Sequence, residues 1–301
     1  MTTFGTIGIA TIDTLLYVKG NSDYDYRAQG DQIVEIEQRE FCLGGKGLLV
    51  AQGLAKLGHA VIPLCFSGKD LPDAVIEEPK IDPSLILCQM RDHHRTWITI
   101  KDVADTVTFV QLADQPFMPP EWLGSVDSLL SRVDALYISY DQPWILQSVL
   151  SRITMLHRPA LVVNLCAPLL LACQGDHQQT LEALIDQAAF LLMNAEESSL
   201  ALDILGLGSW SELDGTNLKE VVITMGDRGG FVTNLDGTVL HSYQAATCSK
   251  AVCAVGAGDA FNSAYLSARL GKSLTISESC EFAAATAALK VSQRTSVLQL
   301  D

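Results

Sequence analysis

The chain has 301 residues, 48% of them hydrophobic and 18% charged, which fits one large packed α/β domain or two smaller ones and excludes a disordered chain. Its net charge of −15, with no stripe of Lys or Arg, excludes a general nucleic-acid binder. A small anionic substrate stays open, because one local positive site can hold it.

Phe4 to Ala10 predicts a buried strand ending at Thr11-Ile12-Asp13. An acidic side chain just past a strand's C-terminal end stands where open α/β sheets place their ligands. The same stretch, up to Val18, lacks the basic start of a signal peptide and is interrupted by Asp13, so a core strand is the expectation. Residues 15–40 change character. Leu16-Tyr17-Val18, a polar loop from Asn21 to Asp31, and then Ile33, Glu35 and Glu37 predict short antiparallel strands. Next, Leu43-Gly44-Gly45-Lys46-Gly47 opens an apolar-periodic helix stopped by Gly58. Such a glycine loop leaves helix amides free to hold anions, although the spacing of a Walker A loop is absent. Val61 to Phe66 predicts another strand. Residues 85–113 return to alternation through Trp97, Ile98, Ile100, Val107, Phe109 and Val110, which completes a small sheet standing off the main body.

From Leu136 the pattern alternates between strand and helix. Strands are predicted at Leu136–Ser139, Ala160–Leu165, Phe190–Met193 and Leu218–Thr224, with helices at Trp144–Leu156, Gln179–Ala188, Val255–Leu270 and Ile276–Val291. That order implies an α/β fold with a mostly parallel central sheet covered by helices on both faces. Eight cysteines form no CxxC pair and lie mostly in apolar runs, as expected of free thiols in a reducing cytosol. Six histidines include the pair His93-His94 but no ligand-spaced cluster, so no structural metal site is expected. No run reaches the ~18 apolar residues of a membrane span.

The stretch Cys253-Ala254-Val255-Gly256-Ala257-Gly258-Asp259-Ala260-Phe261 carries the chemistry. Its glycine turn runs into an apolar-periodic helix, whose first N–H groups can hold phosphate oxygens. Asp259 there can take a proton from an alcohol while those amides stabilise a phosphoryl group in transfer. The plain alternative is a carboxylate in the first turn of an ordinary helix, where the dipole favours it.

With both glycine loops placed, the chain resembles the PfkB carbohydrate kinase family, also called ribokinase-like, over nearly its whole length. Gly44-Gly45-Lys46-Gly47 resembles the family's N-terminal signature and Gly256-Ala257-Gly258-Asp259-Ala260-Phe261 its C-terminal one. Asn194-Ala195-Glu196-Glu197 fits Asn-x-x-Glu, and Thr224-Met225-Gly226-Asp227-Arg228-Gly229 fits Thr-x-Gly-x-x-Gly. The resemblance implies a three-layer α/β/α fold with a small β-sheet lid. Residues 1–14, 41–84 and 114–301 would form the main domain, and 15–40 and 85–113 the lid over the substrate. It implies an ATP- and Mg²⁺-dependent kinase acting on a hydroxymethyl group of a sugar. Asp259 would be the general base, the amides of Gly256, Ala257 and Gly258 the anion hole. Asp13, Gly44, Gly45, Lys46 and Asp141 would hold the substrate. Asn194, Thr224, Gly226 and Gly229 would border the nucleotide, and Glu197 would serve the Mg²⁺ hydration shell. A cytoplasmic location and a homodimer through the lid edges are also expected, with neither nucleic acid nor membrane as partner.

Several positions depart from the family's pattern. Cys253-Ala254-Val255 stands where members carry Asp-Thr-x, and Thr295 stands where they carry a glycine near the C-terminus. Both positions serve a monovalent cation, so activation by such a cation is expected to be absent. Leu49 replaces an asparagine that bonds substrate hydroxyls, and the segment from Asp70 to Ile81 is shorter than usual. Asn164-Leu165-Cys166-Ala167-Pro168 resembles a motif of adenosine kinases, and ribokinases carry a similar one. A nucleoside kinase and a non-catalytic regulatory relative are therefore the alternative readings.

Overall fold

The computed structural model describes residues 2–18, 36–67, 78–88, 95–101, 106–111, 120–153, 159–213, 217–248, 250–295 and 297–300. Among them the large sheet has nine strands. These are β1 (Thr3–Ile9), β4 (Ala60–Ser67), β5 (Ile86–Cys88), β8 (Ala135–Ser139), β9 (Ala160–Asn164), β10 (Phe190–Asn194), β11 (Glu220–Thr224), β12 (Gly230–Thr233) and β13 (Val239–Tyr243). Their order is β13-β12-β11-β10-β9-β8-β1-β4-β5. Pairing is parallel from β5 to β11 and antiparallel at β12 and β13. The central strands read as continuous apolar runs because both faces are covered; all five residues of β8 are buried.

One face packs under α2 (Trp122–Leu130), α3 (Pro143–Ile153), α4 (Ala167–Ala172), α5 (Gln178–Gln187) and α6 (Ala195–Leu205), where Trp122, Leu136, Leu146, Leu184 and Leu191 share a core. The other packs under α1 (Lys46–Lys56), α7 (Ala257–Leu266) and α8 (Ile276–Val291), with Phe4, Leu54, Tyr137, Leu192 and Tyr265 buried between. The result is the expected three-layer α/β/α architecture. Alpha7 ends in a π turn at Ser267–Gly271, where the predicted helix ran on to Leu270. Arg269 of that turn pairs with buried Glu220 of β11, which also accepts from Tyr265 Oη at 2.5 Å. No helix among the described residues is long and apolar enough to cross a membrane.

A smaller sheet of four strands runs β3-β2-β6-β7: β2 (Thr11–Val18), β3 (Ile36–Gly44), β6 (Arg95–Lys101) and β7 (Thr106–Gln111). Its start differs from the reading of the sequence. Only Ala10 separates β1 from β2, so Asp13 lies within a strand, paired with Cys42 and Trp97, and not in a loop after β1. Ile86–Cys88 joins the large sheet beside β4. Ile33, Glu35, His93, His94 and most of the shortened segment after Asp70 lie outside the described residues.

Strand order reverses around β1, with β4 on one side and β8 on the other. Such a switch point opens a crevice at the strands' C-terminal ends.

Candidate active site

That crevice is occupied by a cavity of about 250 Å³ lined by Ile9, Thr11, Asp13, Gly45, Lys46, Leu49, Ser139, Asp141, Cys166, Pro168, Val255, Gly256 and Asp259. It brings together residues from the ends of β1 and β8, the starts of β2, α1 and α4, and the turn before α7. Of the expected substrate and catalytic residues, Asp13, Gly45, Lys46, Asp141, Gly256 and Asp259 line it directly.

The first glycine loop is shaped by close approach. A Cβ on Gly44 would lie 2.2 Å from Asp13 Oδ1, so the strand backbone leaves just enough room for that carboxylate. Thr11 Oγ1 donates to Asp13 Oδ1 at 2.8 Å. Burial, partly offset by Thr11 and reinforced by the Asp259 charge, pushes Asp13 up to about 6. Lys46 is the first residue of α1. Burial alone would push its ammonium toward neutrality, but the charge of Asp259, with Cys166 and Glu197 behind it, holds it above the ordinary value.

The second glycine loop is built on Gly256, which takes φ 80 as the cap of α7. Ala257 N–H closes a turn on the Ala254 carbonyl oxygen at 3.0 Å, and the first helical bond runs from Ala260 N–H to Gly256 O at 2.9 Å. The N–H groups of Gly258 and Asp259 therefore lie ahead of the helix's own ladder, at its positive end. The Ala257 amide is engaged in the turn. A Cβ on Gly258 would meet nothing within 4 Å, and its φ is not positive. The fold does not require glycine there, and open space lies in front of the helix start.

Asp259 is 8% exposed, and its Oδ1 is buried without a hydrogen-bond partner. Burial raises its pKa; Lys46 and Lys290 oppose this and Glu197 adds to it. Buried Tyr137 lies beneath, its hydroxyl accepting from Asn262 Nδ2 at 3.4 Å, and burial and the Asp259 charge push that phenol well up.

On the far wall, Ser139 Oγ donates to Asn164 Oδ1 at 3.3 Å, and Asn164 Nδ2 donates to Leu192 O at 2.9 Å. Ser139 also lies 3.7 Å from Cys166 Sγ. Ile9, Thr11 and Ser139 were not singled out in the sequence, where they read as plain strand residues. Their one signal is position, at or just beyond the C-terminal ends of strands.

Asn194 and Glu197 do not line the cavity. They form a capping box at the start of α6: Asn194 Oδ1 accepts from Glu197 N–H at 2.8 Å, and Glu197 Oε2 accepts from Asn194 N–H at 2.9 Å. Glu197 Oε1 accepts from Ala167 N–H at 3.1 Å, which ties α6 to α4. Thr224 ends β11 beside Asn194. Gly226 (φ 61) and Gly229 (φ 82) shape the turn into β12, and a Cβ on Gly229 would strike Tyr243 O. Cys253 is buried, and Thr295 Oγ1 donates to Val297 O at 2.7 Å.

The profile of the pfkB family carbohydrate kinases matches residues 1–300. The chain belongs to that family. Solved structures share its fold at low identity. A nucleoside kinase from Methanocaldococcus jannaschii superposes with a TM-score of 0.78 at 17% identity, covering 98% of this chain and 93% of its own. A nucleoside kinase from Burkholderia thailandensis, in complex with inosine, gives 0.78 at 16%, covering 97% and 92%. A ribokinase from Cryptococcus neoformans, in complex with ADP, gives 0.71 at 14%, covering 99% and 97%. Among curated protein sequences none matches the chain.

Proposed function

We propose that this pfkB-family chain transfers the γ-phosphoryl group of ATP to a hydroxymethyl group of a small sugar. The observation that carries this reading is Asp259: a buried carboxylate with a free oxygen, beside two forward-facing helix amides and open space over Gly258. Asp259 takes the hydroxyl proton as the alcohol oxygen bonds to phosphorus and the bond to the ADP oxygen breaks. The Gly258 and Asp259 amides stabilise the phosphoryl group meanwhile. Lys46 opposes the rise that burial gives the Asp259 carboxyl and adds positive charge to the same site. Asp13 and Asp141 accept hydroxyls of the acceptor and fix which one faces Asp259.

Mg²⁺ bound with ATP would neutralise phosphate charge. Both Glu197 oxygens are taken by backbone N–H groups, and no cluster of three metal-ligating side chains exists among the described residues. With its oxygens so engaged, Glu197, beside Asn194, would serve such an ion through its water shell and not as a direct ligand. Thr224, Gly226 and Gly229 border the nucleotide in this reading.

The smaller sheet, within and around 15–40 and 85–113, acts as the lid and excludes water when substrate binds. Beta3 is an edge strand of that sheet with Phe41 63% exposed, which suits a homodimer through the lid edges. A cytoplasmic setting suits both substrates and free thiols. A nucleoside as acceptor is the second reading, favoured by the apolar residues Ile9, Leu49, Pro168 and Val255 in the cavity lining. An ADP-release screen over sugars and nucleosides with ATP and Mg²⁺ tests both. Turnover with free pentoses or hexoses supports the first, turnover confined to nucleosides supports the second, and none with either class contradicts the kinase reading.

A further inference from the structure

The last turn of α8 grips the segment that leads into the Gly256–Asp259 turn. The N–H groups of Val252 and Cys253 both donate to the Val291 carbonyl oxygen, at 2.8 and 3.0 Å. From the neighbouring position the Lys290 ammonium donates to the Cys253 carbonyl oxygen at 2.9 Å. Cys253 is thus held on both sides of its backbone by one helix end. Lys290 is 0% exposed, a depth that lysine reaches rarely because its ammonium gives up hydration. Its place at the C-terminal end of α8 suits a cation, since the last carbonyls carry partial negative charge. The charge also reaches the reacting centre, where it joins Lys46 in opposing the effect of burial on Asp259.

The connection to the site is short. Ala254 O closes the turn on Ala257 N–H, Val255 and Gly256 line the cavity, and α7 begins at Ala257. A shift of the Cys253 peptide would pass straight into the two forward-facing amides.

We propose that Lys290 is a built-in cation behind the phosphoryl-binding turn, which fixes the Cys253 peptide and lends permanent positive charge to the anions gathered at Gly258 and Asp259. It is a positioning residue and touches neither acceptor nor nucleotide. The inference rests on the phosphoryl-transfer reading of that turn, and it makes Lys290 the source of charge that a cation drawn from solution would otherwise supply there.

Lys290→Met keeps most of the side-chain volume and removes the charge; Lys290→Arg keeps the charge. Two readouts are needed: ADP affinity by calorimetry, and turnover. Lys290→Met is expected to bind ADP roughly tenfold more weakly and to lose about 10²-fold in kcat. Ammonium ions should restore part of both, and tetramethylammonium neither. Lys290→Arg should stay within a few-fold of wild type. A folded Lys290→Met that binds ADP as tightly as wild type would overturn the proposal. If that variant does not fold, the wild type decides. ADP affinity and turnover indifferent to K⁺ against tetramethylammonium at fixed ionic strength support a tethered cation, and severalfold stimulation by K⁺ overturns it. No wild-type turnover with any acceptor, alongside ADP binding weakened in Lys290→Met, would contradict the kinase reading and still support the role of Lys290.

Discussion

At Gly256 a side chain would have to adopt a left-handed backbone at φ 80, whereas at Gly258 it would enter open space. The two glycines of one turn therefore answer different tests. Gly258→Ala should melt no lower than wild type, because alanine in a helix's first turn stabilises by about 0.5–1 kcal/mol over glycine. It should still lose at least ~10²-fold in kcat by filling the space over the amides. A lowered melting temperature, or full activity, would show that the space has no such use. Asp13 supplies the pH test. Its folded pKa, raised to about 6 by burial, lies above the unfolded 3.8. Folding is therefore weakened by ionised Asp13 above pH 6, by up to about 3 kcal/mol, and that penalty fades as pH falls toward 4. An acceptor hydroxyl needs the ionised form, so kcat/KM should fall as pH drops through 6. Asp13→Asn should lose acceptor affinity yet melt no lower than wild type at pH 7.5, with the difference closing near pH 4. A variant that melts lower at neutral pH would contradict the buried-charge account.

The glycine loops were legible as elements because a turn that runs into an apolar-periodic helix leaves a local pattern. The Asn-x-x-Glu motif was legible as well, but its local role was not, since the capping box and the contact with Ala167 depend on where α4 packs. Asn194→Ala should cost about 1 kcal/mol in the unliganded protein, measured by urea unfolding, as the loss of an N-cap does. No change in stability would mean that α6 does not depend on the cap. Helices α2 and α6 have no counterpart in the sequence reading, and neither do α4, with six residues, and β12, with four, which are too short for periodicity to register. Lys290 gave no signal either, because a lysine late in a helix reads as a solvated complement to the dipole, and only the packing of α8 on Cys253 buries it.

On the scale of the whole molecule, the parallel order was readable from alternating strands and helices, and the switch point at β1 follows from it. The reach of the smaller sheet was not, because one residue, Ala10, carries the chain from one sheet to the other. If that sheet is a lid, hydrogen exchange across β2, β3, β6 and β7 should slow when sugar and a non-hydrolysable nucleotide are both bound. Unchanged protection in a demonstrably bound complex would remove the closure. The central claim is phosphoryl transfer to a hydroxymethyl group with Asp259 as base. Its most direct test follows labelled γ-phosphate from ATP into the acceptor, with wild type and Asp259→Asn in parallel. The account predicts a phosphomonoester on a CH₂–O group, formed by wild type and slowed roughly 10²–10⁴-fold in the variant at nearly unchanged ADP affinity. Label transferred equally fast by Asp259→Asn, or none by wild type with any sugar or nucleoside, would contradict it.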